Sequence, residues 1–92
     1  MQELLEKIQA LRIAKGWDQS DTPEILAKSI VVEAAELLAC YAQETVDLSA
    51  VESELADVLM YTLSLCHDLG LDPQTVVLGK FDDIHRRYPD KS

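Results

Sequence analysis

The fold is decided by residues 29–38, whose sequence SIVVEAAELL places two acids inside an apolar run. Glu33 and Glu36 stand three residues apart in this run, and Glu54 and Asp57 repeat the spacing in the next apolar run. Residues three apart share one face of a helix. Each pair is therefore expected to present two carboxylates from one helical face.

No basic side chain near these acids is available to neutralise them. The sequence contains no Lys and no Arg from residue 29 to residue 79. A carboxylate buried without compensation is costly, or its pKa rises until it is protonated. A metal ion is the expected compensation, and four oxygen donors favour Mg²⁺, with Mn²⁺ able to replace it. The competing interpretations are a solvated acidic face and a di-iron centre, although di-iron bundles use Glu-x-x-His pairs that are missing here.

Cap and breaker residues predict where the helices begin and end. Asp or Thr followed by Pro is typical of a helix start, and Gly after an apolar run is typical of a helix end. These signals occur at Gly16, Asp21-Thr22-Pro23, Gly70 and Asp72-Pro73. Ser49 and Glu52 have the spacing of a capping box, which predicts another helix start. Together they predict four helices over residues 2–15, 23–43, 49–69 and 73–87.

The predicted fold class is all-α, with the whole chain, residues 1–92, forming one domain. The second and third helices are apolar nearly all round, so they are expected at the centre of a four-helix bundle. Their short connection makes them antiparallel. Because 48% of the residues are hydrophobic in a chain of only 92, the bundle is expected to be completed by association, as a homodimer or homotetramer.

Composition limits the functions that are possible. Seventeen acidic residues against eight basic ones give a net charge of −9, which argues against a nucleic-acid polymer as partner. No apolar run is long enough to predict a membrane span, and the N-terminus lacks a signal-peptide pattern. Cys40 and Cys66 lie in apolar runs without zinc-ligand spacing. Free thiols in a reducing cytoplasm are therefore expected.

The acid pairs and their flanking residues resemble the MazG-like nucleotide pyrophosphohydrolases, an all-α family, and within it the small dCTP-pyrophosphatase-like subgroup. The family signature is ExxE, a spacer, and ExxD. Here residues 33–36 read EAAE and, after 17 residues, residues 54–57 read ELAD. The resemblance extends over about residues 10–89, through GWDQ at 16–19, the stretch 29–38 and the ending around Arg87-Tyr88-Pro89.

The resemblance implies Mg²⁺-dependent hydrolysis of a nucleoside triphosphate, with a deoxynucleotide expected, to a nucleoside monophosphate and pyrophosphate. Such an activity would clear unwanted nucleotides. It implies that the metal is held by four acids: Glu33, Glu36, Glu54 and Asp57. One of the first two would activate the attacking water, and the sequence does not choose between them.

Two further roles follow from the same resemblance. Trp17 matches an aromatic residue that stacks on the base, and its alternative role is an apolar plug between the first helix and the bundle. Lys80 matches a lysine that contacts phosphate, and its alternative role is that of a solvated surface lysine.

Departures from the family pattern leave the preferred base open. Many relatives have Asn where this chain has Ile25 and Ile84, and dCTP-selective members often have Trp in place of Gln43. Two other functions compete with the leading one. The same scaffold could act on another phosphorylated metabolite, or the chain could be a non-catalytic acidic helical module that binds a basic partner.

Overall fold

All regular structure in the chain is helical over residues 1–91, the range that the computed structural model describes. The predicted all-α class is therefore confirmed. The elements are α1 (Gln2–Lys15), α2 (Trp17–Ser20), α3 (Pro23–Cys40), α4 (Leu48–Asp68), α5 (Pro73–Gly79) and α6 (Phe81–Arg87). None of these helices is long and apolar enough to cross a membrane.

Most of the predicted helix ends are confirmed. Gly16 and Gly70 adopt the left-handed conformation, with φ of 76° and 69°, and so close the helices before them. The Thr22 hydroxyl accepts a hydrogen bond from the backbone N–H of Ile25 at 3.3 Å, which makes Thr22 the N-cap of α3. The Asp72 carboxylate caps α5 in the same way.

The predicted capping box of Ser49 and Glu52 is wrong. The helix α4 begins one residue earlier than expected, and its N-cap is Asp47, whose carboxylate accepts from the backbone N–H of Ser49 at 3.0 Å. An Asp side chain readily accepts a hydrogen bond from the backbone N–H two residues further on. Asp47 therefore caps the helix, and Ser49 lies inside it.

Two other predicted boundaries also differ from the structure. The second predicted helix ends at Cys40 instead of residue 43, because the backbone tightens to i→i−3 bonds from Tyr41 to Leu38 and from Ala42 to Ala39. The fourth predicted helix is divided into α5 and α6. Gly79 weakens a helix at this point, and the N–H of Lys80 bonds to Val77 three residues back.

The helices α3 and α4 pack against each other along their length and form the centre of the fold. Leu26, near the start of α3, lies beside Met60 and Ser64 in the second half of α4. Glu36, near the end of α3, lies beside Ala50 at the start of α4. The pair is therefore antiparallel, as predicted.

A buried ion pair fixes α1 against the end of α4. The guanidinium of Arg12, whose side chain is 4% exposed, donates to both carboxylate oxygens of Asp68 at 2.9 and 2.8 Å. The Gln9 side chain accepts a third hydrogen bond from it at 2.9 Å. These bonds raise the pKa of Arg12 and lower the pKa of Asp68, each chiefly through the hydrogen bonds between them.

The single chain leaves much apolar surface exposed and is elongated. The expectation that α3 and α4 are buried on several sides is not met within one chain, since Val31 is 69% and Leu38 73% exposed. The radius of gyration is 15.9 Å, against about 12 Å for a compact chain of this length. The helices α5 and α6 pack chiefly on each other.

Asp68→Asn is expected to destabilise the fold by about 3 kcal/mol, because it leaves the Arg12 guanidinium buried without its counter-charge. The pKa of Asp68 is lowered in the folded state, so the pair stabilises the fold above the ordinary Asp pKa and loses that effect as pH falls through the lower folded value. Urea denaturation of the variant should therefore show a weaker loss of stability below pH 5 than the wild type. Asp82→Asn, at an exposed position, is the control. Equal pH dependence in Asp68→Asn and wild type would contradict this account.

Candidate metal centre and adjoining pocket

Three of the four predicted metal ligands converge between α3 and α4. Carboxylate oxygens of Glu33, Glu36 and Glu54 all lie within 4.8 Å of one another. The i, i+3 spacing in α3 brings its two acids to one face, and the antiparallel register places Glu54 opposite them. The predicted convergence of the two helices' acids is thus observed for these three residues.

Part of this acidic cluster is buried without hydrogen-bond partners. One oxygen of Glu33 and one of Glu54 are shielded from solvent and have no partner among the described residues. No Lys, Arg or His in residues 1–91 forms an ion pair with any of the three acids. Orphaned carboxylate oxygens of this kind are what a hard cation would satisfy. The donor set therefore fits Mg²⁺ or Mn²⁺.

The crowding of the carboxylates acts on Glu33. Its pKa is raised to about 7, chiefly by the adjacent carboxylate of Glu54 and then that of Glu36, with desolvation and the nearby Asp57 charge acting in the same direction. Without a cation, a proton held between the carboxylates lowers the repulsion. A cation at the same place would favour the ionised form instead.

Asp57 lies at the edge of this group. Its charge acts on Glu33, but its oxygens are not among those that converge within 4.8 Å. It lines a cavity of about 180 Å³ that adjoins the acids. Asp57 thus connects the acidic cluster to the cavity.

The cavity combines an aromatic and apolar wall with a few polar groups. Trp17, Tyr61 and Asp57 form part of its lining. The remaining lining residues are Leu11, Arg12, Asp21, Leu26, Met60 and Ser64. Trp17 is 45% exposed, so its ring is available to a ligand at the cavity's opening as well as to its neighbours. An apolar cavity with a few placed polar groups is the usual form of a small-molecule site.

Tyr61 links the cavity to the acids electrostatically. Its pKa is raised, first by desolvation and then by the negative charges of Glu33, Asp21 and Asp57, while a hydrogen bond with Ser29 acts in the opposite direction. The phenol is consequently a neutral hydrogen-bonding group on the cavity wall.

The structure does not bring Lys80 to the acids or to the cavity. Its ammonium lies 3.1 Å from Asp83, at the junction of α5 and α6. Three further positions singled out in the sequence also lie outside the cavity lining. They are Ile25, Gln43 and Ile84. Gln43 lines a separate groove beside Glu36.

Sequence reasoning overlooked several residues of the cavity wall. Arg12 gave no signal because its partner Asp68 is 56 residues away in the chain. In the sequence, Asp21 carries only the signal of a helix cap. Tyr61 could have been found, because it follows Asp57 by one helical turn and so lies on the same face of α4.

The chain is similar to several known proteins. The model of the MazG nucleotide pyrophosphohydrolase domain matches residues 21–92. The dCTP pyrophosphatase 1 of Homo sapiens is 30% identical over 86 residues, which cover 82% of this chain and 51% of that protein. The Rattus norvegicus protein of the same name is 28% identical over 86 residues, which also cover 82% of this chain and 51% of that protein. The chain thus spans about half the length of the curated relatives it matches.

The fold has a counterpart among solved structures. A crystal structure of a pyrophosphatase from Archaeoglobus fulgidus matches with a TM-score of 0.88 and 35% identity, covering 98% of this chain and 93% of that chain. The family model spans most of the chain and includes both acid pairs. The chain therefore belongs to the MazG nucleotide pyrophosphohydrolase domain family.

Proposed function

We propose that this protein is a Mg²⁺-dependent pyrophosphohydrolase of deoxynucleoside triphosphates that removes unwanted nucleotides. The observation that carries the proposal is the convergence of three carboxylates, two of them with buried and unpartnered oxygens, beside a cavity with an aromatic wall. Membership of the family supports the reaction class, and the relatives named dCTP pyrophosphatase support a nucleotide substrate.

Glu33, Glu36, Glu54 and Asp57 are proposed to hold the metal. Three converge, and Asp57 stands one turn from Glu54 and lines the cavity. When bound, Mg²⁺ or Mn²⁺ would neutralise triphosphate oxygens and favour ionisation of a bound water. An acidic protein can in this way bind an acidic substrate.

In the proposed reaction, a water oxygen bonds to the α-phosphorus while the bond from that phosphorus to the bridging oxygen breaks. The electron pair leaves with pyrophosphate, and the nucleoside monophosphate keeps the water oxygen. A carboxylate of Glu33 or Glu36 orients the water and accepts its proton. Both side chains lie in the cluster, so both are in position for this role.

The remaining substrate contacts are proposed from the resemblance to the family. Trp17, on the cavity wall, would stack on the base. Lys80 would contact the phosphates, although within one chain its ammonium pairs with Asp83 and does not line the cavity. The free thiols of Cys40 and Cys66 are consistent with the expected cytoplasmic location.

A second copy of the chain is the proposed cover for the exposed apolar face, as a homodimer or a homotetramer. On α4, Leu48, Leu55 and Leu59 follow one another at helical spacing and are 75%, 44% and 56% exposed. The elongated shape of one chain and its small core support the same conclusion.

Leu59→Glu should shift the protein toward the monomer, because it places a charge on this apolar stripe. Light scattering coupled to size-exclusion chromatography would measure the mass. Ile13→Glu, which alters an exposed apolar residue on α1 away from the stripe, should leave the mass unchanged. A monomeric wild type at all accessible concentrations would refute the proposed assembly.

Mg²⁺ should raise the melting temperature, since a ligand that binds only the folded state stabilises it by about 2.7 kcal/mol at 100 times its Kd. Glu54→Gln should lose this Mg²⁺-dependent rise because it removes a ligand, while its melting temperature without metal stays the same or increases. Glu52→Gln, an exposed position on the same helix, is the matched control. An undiminished rise in Glu54→Gln would exclude that residue as a ligand.

A non-hydrolysable nucleotide should raise the melting temperature further in the presence of Mg²⁺. A non-catalytic interaction module would show no change in melting temperature with the nucleotide.

Glu36→Gln should lower the rate of pyrophosphate release from a panel of nucleoside triphosphates by about 100-fold or more. A chelator should abolish the wild-type rate. Glu24→Gln is the control on the same helix, because Glu24 is exposed and pairs with Lys28 away from the cluster. Wild-type activity in Glu36→Gln would refute the proposed centre, and so would turnover of no nucleotide by the wild type.

A further inference from the structure

The carboxylate of Asp21 faces the cavity and has no strong partner of its own. Asp21 is half-buried and lines the cavity with Trp17. Its described side-chain hydrogen bond is a long one, 3.5 Å from the Ser20 hydroxyl. No cationic group within residues 1–91 forms an ion pair with it, although its charge acts on the nearby Arg12 guanidinium. Asp21 therefore keeps acceptor capacity for a ligand.

Two other polar residues of the wall do not distinguish one base from another: Asp57 is proposed as a metal ligand, and the Tyr61 phenol can both donate and accept. The rest are already engaged. The Arg12 guanidinium is bound by Asp68 and Gln9. The Ser64 hydroxyl donates to the backbone carbonyl of Met60 at 2.6 Å. Asp21 is thus the wall residue best placed to read a ligand's hydrogen-bonding edge.

The backbone around Asp21 is held in place. Its N–H donates to the carbonyl of Trp17 at 2.9 Å, and the next residue, Thr22, caps α3. The backbone positions that carry the carboxylate and the indole ring are therefore fixed relative to each other, which a recognition site needs.

The cavity is the size of one aromatic ring. Its volume is about 180 Å³, and a cavity of about 150 Å³ accommodates benzene. A pyrimidine ring therefore fits within it. An ionised carboxylate only accepts hydrogen bonds, so it is complementary to the exocyclic amino group of cytosine and opposes the carbonyl oxygen that uracil and thymine carry at the same position.

We propose that Asp21 selects cytosine nucleotides over uracil and thymine nucleotides by accepting a hydrogen bond from the exocyclic amino group of the base. This inference rests on the proposed function, because it takes the cavity beside the acids as the base pocket. It assigns the discrimination to a residue that the family resemblance did not single out.

The test compares kcat/KM for dCTP with that for dUTP and dTTP in three proteins. The wild type should prefer dCTP, and Asp21→Asn should reduce that preference about tenfold, because the amide can also donate to a carbonyl. Asp18→Asn should leave the preference unchanged, since Asp18 is also half-buried one turn earlier but does not line the cavity. Binding of dCMP and dUMP should show the same order, which provides a readout that needs no turnover.

Several outcomes would overturn the assignment. Equal use of dCTP and dUTP by the wild type would do so while leaving the proposed activity intact. An equal loss for all substrates in Asp21→Asn would show that the residue acts on the metal or the phosphates instead. If the wild type turns over no nucleotide, the proposed function fails, and an absence of preference for dCMP over dUMP in binding would then refute the role of Asp21 separately.

Discussion

Uncompensated negative charge between two packed helices is the constraint on which the site depends. Glu33 and Glu54 each bury an oxygen without a partner among the described residues, in a part of the chain that carries no Lys or Arg for some fifty positions. A protein interior tolerates such groups only if a proton or a cation neutralises them. The raised pKa of Glu33 corresponds to neutralisation by a proton. The convergence of the Glu33, Glu36 and Glu54 oxygens fits neutralisation by a cation.

The ion pair at the end of α4 preserves this charge imbalance. Arg12 lies on the wall of the cavity that Asp57 also lines, close enough to reduce the negative potential there. Its guanidinium is instead bound bidentately by Asp68, which holds α1 in position and neutralises the cation. The same contact therefore builds the cavity wall and leaves the acids without a protein cation. A bound metal ion can then neutralise the negative charge of these acids.

The helices and the acidic centre were predictable because they depend on local patterns. The i, i+3 acids, Thr22 with Pro23, and Gly70 each carry their structural meaning within a few residues, and the structure agrees with them. The division of the fourth helix at Lys80 depends on a weak effect of Gly79, and the cap of α4 depends on competition between Asp47 and Ser49. Propensity alone does not resolve such small differences.

The cavity was not predictable, because it is made by contacts between distant parts of the chain. Residues from α1, α2, α3 and α4 and from the link before α3 form its wall, and no sequence spacing records their proximity. Asp21 illustrates the difficulty, since a sequence shows it only as a residue next to a helix cap. The exposed apolar residues of α4, by contrast, were predictable. The composition indicates more apolar surface than one chain can bury, and the single chain does leave apolar side chains exposed on this helix.

The most direct test of the account is ³¹P NMR of dCTP incubated with the protein and Mg²⁺ in water enriched in ¹⁸O. The account predicts equimolar dCMP and pyrophosphate, with the heavy oxygen on the phosphorus of dCMP, and no reaction when a chelator is present. Formation of dCDP and inorganic phosphate, heavy oxygen in the pyrophosphate, or persistence of intact dCTP would contradict it.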